Sequence, residues 1–497
     1  MSPKLPNILF VMFDQMAALS LPAYGHKVVQ TPHLDALVRR GTVFESAYCA
    51  SPLCSPARFA MLTGLLPSRI GAYDNAAELP SSVPTLLHHL RRAGYRTCLA
   101  GKMDFAGADQ LHGYEERLTT DLSPSDFGWT PDWDHPEIVQ PWYHTLHSVA
   151  AAGPCDYSLS LHYDEDACHK AAQWLHGAAD RPDGRPFMLT VSVMHPHDPY
   201  RALRRFWNLY DSAEIDMPAL PPSDPRNAVE ERMYRLYDRG EIPISADDVR
   251  RARHAYYGMI SYCDDVLGRL LGTLKTVGVA DDTVVVVTSD HGDMLGERGL
   301  WYKMTFYERA VRVPLIVAGP GLRANQRIAP AVSHLDLLPT LVELATGKVD
   351  APGDGASLLP ALRHGTPPKG EVSGEYLAEG YNEPVVMLRR GDRKLVYARS
   401  DGPMLFDLAA DPQERINLAP RGDGAALVAE AEARWDFDGL RDAVLESQRR
   451  RRLVHAALTT GRIAAWDYAP TVDAAGSYWR NYGDGRPDPD RALRRPR

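Results

Sequence analysis

Short runs of apolar residues that alternate with helical patterns constrain the fold of this chain more than any other feature of its sequence. The run NILFVMF at Asn7–Phe13 is continuous, which is typical of a strand buried on both faces of a sheet. Strands that alternate with helices predict a largely parallel sheet with helices on both faces. The other predicted strands are residues 96–100, 187–193, 283–288 and 313–318, and the predicted helices are residues 31–41, 82–93, 164–176 and 245–277.

This alternation stops near residue 345, and a different pattern follows. Residues 383–390 and 393–399 have the alternation of two strands, and Gly391-Asp392 between them predicts a hairpin turn. Residues 425–457 are helical in composition, and the last residues form a tail rich in Gly, Pro and Arg. We therefore predict an α/β domain over residues 1–345, a smaller antiparallel subdomain over 346–424, and a helical extension with a tail over 425–497.

Composition argues against several classes of protein. The 497 residues are 44% hydrophobic and 24% charged, as in an ordinary globular protein. Lys and Arg number 55 against 64 Asp and Glu, and this net charge of −9 argues against a nucleic acid partner. No apolar stretch approaches the roughly 18 residues that a membrane-spanning helix needs. Six cysteines without metal-like spacing indicate a reducing compartment, so we expect a cytoplasmic protein without membrane contact.

Polar side chains directly follow four of the predicted strands. Ligands of open α/β sheets bind outside the carboxyl ends of the strands, so these side chains are expected to meet at one edge. The carboxylates of Asp14 and Asp290, the amide oxygen of Gln15 and the imidazole of His291 suit Ca²⁺, Mg²⁺ or Mn²⁺. Zinc would require more nitrogen or sulfur ligands. The group consists of Asp14 and Gln15, Lys102, His195 and His197, and Asp290 and His291.

A cysteine lies at the predicted start of a helix. Pro56 has the position of a first-turn proline, which places Cys54 at or just before the helix N-terminus. The positive end of the helix and Arg58, one turn on, favour an anion there. The residues alone leave two interpretations open: an anion site with a nucleophilic thiol, or a buried structural cysteine.

The same residues carry a resemblance to a known family. C-x-P-x-R at residues 54–58, followed by T-G-x-x-P-S-R at 63–69, resembles the sulfatase signature of the alkaline-phosphatase superfamily. The choline-sulfatase-like branch of that family is similar over nearly the whole chain. Its matching segments are residues 51–58, 71–77, 109–121, 128–133, 195–200, 289–303, 405–418 and 466–468.

The resemblance implies an alkaline-phosphatase-like fold: a large mixed, mostly parallel sheet flanked by helices, a smaller C-terminal antiparallel subdomain and a C-terminal extension. It also implies that a maturation enzyme oxidises Cys54 to formylglycine, whose hydrated aldehyde attacks sulfur, expels the alcohol and then releases sulfate. One divalent ion (Ca²⁺, Mn²⁺ or Mg²⁺) would be held by Asp14, Gln15, Asp290 and His291 beside Cys54. Arg58, Lys102, His197 and Lys303 would steady the hydrate and bind sulfate oxygens.

One position departs from the family pattern. Members usually read G-K-x-H, whereas Gly101-Lys102-Met103 is followed here by Asp104. A carboxylate repels a sulfate ester unless it is protonated, and a protonated Asp104 could serve as general acid for a poor leaving group. The alternative is that Asp104 pairs with Lys102 or Arg58 and that the leaving group differs.

The resemblance also implies a pocket for a small cationic sulfate ester such as choline sulfate. Trp129 would form a wall, since aromatic faces bind quaternary ammonium by cation–π attraction. Glu375 and Glu379 are both candidates for its carboxylate, with Glu379 preferred. His144, His195 and, from a neighbouring subunit, Asp484 complete the predicted substrate-binding set.

Two further expectations concern assembly and the competing functions. The cation run at residues 449–452 is either a solvated helix face or a subunit contact, and the resemblance implies a homo-oligomer, a dimer or a tetramer. The leading hypothesis is a sulfuric ester hydrolase. A phosphonate or phosphate ester hydrolase on the same scaffold and a non-catalytic binder of a quaternary-ammonium ester are the alternatives.

Overall fold

The computed structural model describes residues 5–122, 125–180, 184–237, 241–348 and 353–461. An eight-stranded sheet, in the order β12-β2-β11-β9-β1-β7-β4-β5, forms its centre. The strands of the chain are β1 Asn7–Phe13, β2 Thr42–Phe44, β3 Ala47–Tyr48, β4 Arg96–Gly101, β5 Glu116–Arg117, β6 Gly153–Cys155, β7 Phe187–Val193, β8 Arg201–Leu203, β9 Thr283–Ser289, β10 Arg312–Val313, β11 Leu315–Ala318, β12 Gln326–Ile328, β13 Val332–Ser333, β14 Glu371–Tyr376, β15 Val385–Arg390, β16 Arg393–Ala398 and β17 Gly402–Asp407.

The apolar run at the start of the chain forms a central strand. β1 pairs in parallel with β7 on one side and β9 on the other, and β4 pairs in parallel with β7. Ile8, Leu9 and Val11 are fully buried, as expected for a strand covered on both faces. The predicted mostly parallel sheet is therefore confirmed.

The last strand predicted for this sheet is interrupted by a proline. Residues 313–318 read as one strand, but β10 and β11 lie on either side of Pro314 and belong to different sheets. Proline has no backbone N–H and cannot continue a ladder of hydrogen bonds. β11 runs antiparallel to both β9 and β2, which makes the large sheet mixed.

The predicted helices are present with small shifts at their ends. The longest one begins after Ser245, whose hydroxyl accepts a hydrogen bond from the Asp248 amide and caps the helix. No helix within the described ranges is long and apolar enough to cross a membrane. The α-helices are α1 Pro32–Arg40, α2 Cys54–Thr63, α3 Pro67–Ile70, α4 Leu86–Arg92, α5 His147–Ala150, α6 Leu159–Asp180, α7 Arg204–Trp207, α8 Ala228–Tyr237, α9 Ala246–Thr276, α10 Glu308–Val311, α11 Leu337–Thr346, α12 Leu359–His364, α13 Ala425–Arg434 and α14 Phe437–Leu458.

A four-stranded antiparallel sheet, β14-β15-β16-β17, follows the α/β region. β15 and β16 form the predicted hairpin, and Gly391 in its turn has a φ of +54°. The region 425–457, which is helical in composition, forms two helices, because Trp435 is extended and the Asp436 side chain caps α14 by accepting from the Gly439 amide. The predicted tail at 473–497 lies outside the described residues.

The carboxyl ends of the parallel strands meet at one edge of the large sheet. The Asp14 amide donates to the His195 carbonyl at 3.3 Å, and the Lys102 amide donates to the Ser192 carbonyl at 2.9 Å. The Asp290 amide donates to the Phe13 carbonyl at 3.2 Å. The polar residues after β1, β4, β7 and β9 therefore converge, as the sequence predicts.

Candidate active site

Cys54 is the first residue of α2. Leu53 before it is extended, and the whole of α2 is buried, with Cys54 itself 3% exposed. The Cys54 Sγ lies 3.2 Å from the His291 Nε2. Burial raises the pKa of the Cys54 thiol to about 12, so the unmodified side chain stays protonated near neutral pH. A protonated thiol is a weak nucleophile.

Four side chains form a cluster of potential metal ligands around this position. One ligand atom from each lies within 4.8 Å of the others, and all four residues are buried. The Asp14 Oδ1 is buried without a hydrogen-bond partner, although the Asp14 Oδ2 accepts from Arg58. Burial lowers the pKa of His291 to about 4, which keeps the imidazole neutral as a metal ligand requires. The cluster consists of Asp14, Cys54, Asp290 and His291.

Gln15 is the remaining predicted ligand, and both the oxygen and the nitrogen of its side-chain amide form hydrogen bonds. Its Oε1 accepts from the Lys303 Nζ at 2.7 Å, and its Nε2 donates to the Asp293 Oδ2 at 2.6 Å. Its backbone amide donates to the Asp290 Oδ1, and its φ is +66°. The Gln15 backbone thus contacts Asp290 of the cluster, while its side-chain amide oxygen is bound to Lys303.

Two buried cations neutralise the carboxylates of the cluster. The Arg58 Nη2 donates to the Asp14 Oδ2 at 3.0 Å and to the Asp290 Oδ2 at 2.8 Å. The Lys102 Nζ donates to the same Asp14 Oδ2 at 2.5 Å. Arg58 is fully buried and Lys102 is 6% exposed, so both charges act in a region of low effective dielectric.

Asp104 lies against both of these cations. Its Oδ2 is 3.3 Å from the Lys102 Nζ and 3.6 Å from the Arg58 Nε. The structure thus shows the pairing that the sequence offers as an alternative to a free general acid. Burial raises the pKa of Asp104 to about 6, while Lys102 and Arg58 oppose the rise. Asp104 is therefore ion-paired and also close to protonation near neutral pH.

Lys303 and His197 form a second donor group across the site. The Lys303 Nζ donates to the His197 Nε2 at 2.8 Å, so this imidazole nitrogen is the acceptor. The other ring nitrogen, Nδ1, then carries the proton and donates to the Asp198 carbonyl at 2.7 Å. Burial lowers the pKa of His197, and the Lys303 charge lowers it further.

The two other predicted histidines have different surroundings. The His144 ring stacks on Tyr302 with centroids 4.5 Å apart and lies 5.9 Å from the His197 ring, so it borders the site. The His195 Nδ1 is instead 2.6 Å from the Asp164 Oδ2 on α6. This buried contact joins the end of β7 to α6 through the His195 Nδ1, and the substrate-binding role of His195 stays a prediction.

The two candidate glutamates differ in their hydrogen-bond partners. Glu375 accepts from the Ser68 amide and hydroxyl and from the Trp435 Nε1, so both of its oxygens are used inside the protein. This corrects its prediction as a substrate-binding residue. Glu379 is 5% exposed, and its Oε2 has no hydrogen-bond partner. Burial raises the pKa of Glu379 to about 7.

Aromatic side chains lie on the segment around residue 129. Trp129 stacks on Trp142 with centroids 6.5 Å apart and an interplanar angle of 19°. Trp142 in turn meets the edge of Tyr143 at 4.4 Å. Burial raises the pKa of the Tyr143 hydroxyl, and the nearby charge of Glu379 adds to that rise. Aromatic rings and an unpaired carboxylate therefore share this region.

The arginine run has both exposed and buried members: Arg449 and Arg450 are exposed, and Arg452 is half-buried. Arg451 is buried and binds both carboxylate oxygens of Asp74. Arg449 and Arg452 pair with Asp134. Each of the three thus has an acidic partner in the N-terminal half of the chain. Asp484, the predicted contribution from a neighbouring subunit, lies outside the described residues.

Asn75 is a site residue that the sequence analysis missed. Its Oδ1 accepts from the Ser55 amide at 3.0 Å, directly after Cys54 at the start of α2. It belongs to the segment 71–77, which contributes to the family resemblance but received no assigned role. An amide side chain 20 residues after the Ser55 that it contacts has no periodic relation to the helix N-terminus, so only the family motif could have indicated Asn75.

Comparisons with known proteins agree with this geometry. The sequence profile of the sulfatase family matches residues 6–348, that of the choline sulfatase enzyme C terminal matches 442–486, and that of the N-sulphoglucosamine sulphohydrolase C-terminal region matches 296–436. A choline-sulfatase of Rhizobium meliloti (strain 1021) is 45% identical over 493 residues, which cover 96% of each chain. Arylsulfatase K of Bos taurus is 28% identical and is matched over 79% of its length by 84% of this chain.

A solved structure supplies the fold comparison. The phosphonate monoester hydrolase of Agrobacterium radiobacter superposes with a TM-score of 0.68 at 26% identity, over 88% of this chain and 96% of its own. The resemblance thus extends from the sequence motifs to the arrangement of the large sheet and its helices. The chain belongs to the sulfatase family and is a sulfatase, an enzyme that hydrolyses sulfate esters.

Proposed function

We propose that this sulfatase hydrolyses choline sulfate or a closely related small sulfate ester with a cationic head. The observation that carries the proposal is the buried Glu379 carboxylate, whose Oε2 has no partner within the protein. Trp129 supplies an aromatic face in the same region, and aromatic faces attract quaternary ammonium groups. The 45% identity to a choline-sulfatase over 96% of the chain supports the same substrate class.

The nucleophile in this proposal derives from Cys54. A formylglycine at this position, produced by a maturation enzyme, would supply a hydrated aldehyde as the attacking group. The position supports this role because the first turn of α2 directs backbone N–H groups and positive dipole toward an anion. Arg58, one turn further, holds the Asp14 and Asp290 carboxylates around residue 54.

A divalent cation fits the cluster at the sheet edge. Asp14, Asp290 and His291, with Gln15 and residue 54, would hold it, and Ca²⁺, Mg²⁺ and Mn²⁺ all accept such oxygen-rich ligands. The buried Asp14 Oδ1 without a partner is the oxygen that such an ion would satisfy. When bound, the ion supplies Lewis-acid stabilisation of the charge that develops on sulfate oxygens.

The remaining cations bind and stabilise the sulfate group. Lys102 and Lys303 carry protons on Nζ near the modified residue and donate hydrogen bonds to sulfate oxygens. His197 has its proton on Nδ1, so its Nε2 accepts a hydrogen bond from the Lys303 Nζ. This hydrogen bond orients the Lys303 ammonium group. Asp104 can protonate a departing alcohol when it is neutral, and with a pKa of about 6 roughly one molecule in ten carries that proton at pH 7.

Sulfate release from choline sulfate by the purified, metal-loaded enzyme tests the proposal. We expect a higher kcat/KM for choline sulfate than for a neutral aryl sulfate of similar size. A preference for the neutral ester would contradict a cationic substrate. We also propose that the enzyme is cytoplasmic and forms a homo-oligomer, a dimer or a tetramer, and light scattering of the full chain checks its assembly.

A phosphonate or phosphate ester is the second candidate substrate. The structural similarity to a phosphonate monoester hydrolase and the presence of Asp104 in place of the family histidine both favour it. Phosphoryl and sulfuryl groups require similar cationic and metal contacts. Parallel measurement of kcat/KM for choline sulfate, 4-nitrophenyl sulfate and a phosphonate monoester separates the two candidates.

A further inference from the structure

One face of α14 is buried although most of this helix is charged. Val444, Leu445, Gln448 and Arg451 are at most 6% exposed, and their spacing of three and four residues places them on one side of the helix. Arg450, next to the buried arginine, is exposed. The buried face therefore contacts the body of the protein, and two of its four members are polar.

The arginine of this face forms a buried ion pair with the N-terminal part of the chain. The Arg451 Nη1 donates to the Asp74 Oδ1 and the Nη2 donates to the Asp74 Oδ2, each at 2.6 Å. Asp74 is fully buried and Arg451 is 5% exposed. A buried carboxylate without its cation is strongly unfavourable, so the conformation around Asp74 depends on this guanidinium group.

Asp74 lies next to a residue that contacts the start of the nucleophile helix. The Asn75 Oδ1 accepts from the Ser55 amide at 3.0 Å, and Ser55 follows Cys54. The Asp74 Oδ1 also accepts from the Ala76 amide at 3.0 Å, which fixes the turn that contains Asn75. A displacement of Asp74 would thus be transmitted to the amide groups around Cys54.

The same helix face also contacts the segments that carry Trp129 and Glu379, the two residues proposed to bind the cationic head. The Gln448 Oε1 accepts from the Trp133 amide, and the Trp133 Nε1 donates to the carbonyl of Ala378, next to Glu379, both at 2.9 Å. A Cβ added at Gly128 would lie 3.0 Å from the His455 Cε1, so α14 also packs closely beside Trp129. Three pocket segments therefore converge on α14.

We propose that Arg451 is a positioning residue for the active site, which holds the loop 71–77 against the start of α2 through Asp74. Its contribution is geometric, because the guanidinium group contacts Asp74 and not the metal cluster. Displacement of a positioning group by about 1 Å can lower a rate by about a hundredfold. The inference deepens the proposed function, and it rests on that function only for the choice of substrate.

The test compares Arg451→Met with Arg450→Met, which removes an exposed arginine from the same helix. We expect Arg451→Met to lower kcat/KM by about 10- to 100-fold and Arg450→Met to change it by less than about twofold. Both choline sulfate and 4-nitrophenyl sulfate serve as substrates, so failure of the choline assignment leaves this test intact. Wild-type enzyme that hydrolyses only the aryl ester contradicts the proposed substrate but not the role of Arg451.

A double-mutant cycle distinguishes positioning through Asp74 from a general loss of stability. Asp74→Asn removes the buried charge, so the double variant Asp74→Asn/Arg451→Met is expected to recover part of the kcat/KM that Arg451→Met loses. Arg451→Lys keeps the charge but not the paired contact, and we expect an intermediate value. All values are normalised to folded enzyme, formylglycine occupancy and metal content.

Two results would overturn the proposal. One is a normalised kcat/KM of Arg451→Met within about twofold of wild type on both esters. The other is a loss of kcat/KM in the double variant that equals the sum of the two single losses in free energy, which would show that Arg451 and Asp74 act independently. If Arg451→Met does not fold, Arg451→Lys and Asp74→Asn decide the question, and wild-type values for both would reject positioning through this pair.

Discussion

Buried residues of opposite charge surround Cys54. Arg58 and Lys102 face Asp14, Asp290 and Asp104, and few water molecules can screen these charges because the residues are at most 6% exposed. The Asp14 Oδ1, a buried carboxylate oxygen without a hydrogen-bond partner, is therefore a place where a bound cation is expected. Predictions at this scale concern the modification of residue 54, the charge of the substrate and the proton for the leaving group.

Oxidation of Cys54 is the first prediction. Its protonated thiol is a weak nucleophile, so peptide mass spectrometry should show formylglycine at residue 54 in active enzyme. Cys54→Ala is expected to lose essentially all turnover and to keep bound metal, because Asp14, Asp290 and His291 remain. Fully active protein with an unmodified thiol would exclude this nucleophile.

Glu379 tests recognition of the cationic head. Glu379→Gln is expected to raise KM for choline sulfate by about 5- to 150-fold and to have much less effect on 4-nitrophenyl sulfate. Because burial raises the pKa of Glu379 to about 7, wild-type KM for choline sulfate should fall as pH rises from 6 to 8. The variant should lack this dependence. Equal losses on both esters would indicate a structural role instead.

Asp104 is expected to determine how the hydrolysis of esters with poor leaving groups depends on pH. Its pKa of about 6 means that the protonated form declines by about tenfold per unit above pH 6, so kcat for choline sulfate should fall along that limb. Aryl sulfates, which need no proton, should show little of this fall. Asp104→His should increase choline sulfate turnover more than aryl sulfate turnover. Loss of activity on the best substrate would favour the phosphonate alternative.

At the scale of secondary-structure elements, the parallel strands β1 and β9 determine where the carboxylates meet. Both strands end at the same edge, and each is followed at once by an aspartate, Asp14 and Asp290. Strand direction and a fully buried run are properties that sequence periodicity reports well. The convergence of Asp14, Asp290 and His291 in one candidate metal cluster could therefore be predicted from the sequence.

Metal content follows from these strand ends. Asp14→Asn and Asp290→Asn each remove an anionic oxygen from a site for a hard cation, so both should lower metal stoichiometry and activity together. Elemental analysis of dialysed protein measures the first quantity and sulfate release the second. Undiminished activity after exhaustive chelation would rule out a metal requirement.

Other elements show where sequence reasoning stops. Glu375 and Glu379 lie four residues apart, and only the Ser68 and Trp435 contacts, from distant parts of the chain, commit Glu375 to the interior. Similarly, the cation run of α14 has the composition of a solvated face until Asp74 is placed beside Arg451. Such pairings depend on tertiary structure and leave no periodic signal.

At the scale of the whole molecule, a buried ion cluster joins the α/β region to the C-terminal sheet. Lys394 on β16 is fully buried, and its Nζ lies 2.8 Å from oxygens of both Glu308 on α10 and Glu414. A lysine in this position cannot reach water, so its charge is balanced only by the two carboxylates. The two regions are therefore expected to unfold together.

Replacement of this lysine tests that coupling. Lys394→Met leaves the buried Glu414 without a cation and Glu308 with only the more distant Arg312, so it should lower the free energy of unfolding by about 3–5 kcal/mol. Arg393 on the same strand forms a solvent-accessible ion pair with Asp407. Arg393→Met should therefore change the free energy of unfolding by less than about 1 kcal/mol. Urea unfolding followed by fluorescence gives both values. A stability loss no larger than that of the control would show that the cluster does not couple the regions.

The pair between Arg451 and Asp74 has a consequence for the order of events during synthesis. The two residues are 377 positions apart in the chain. At about 5–20 residues per second, a ribosome needs roughly 20 to 75 seconds to proceed from one to the other. Throughout that interval Asp74 lacks its cation and the turn beside Cys54 lacks its final support. The support of this turn is thus completed only after α14, the last helix in the described part of the chain, has been made.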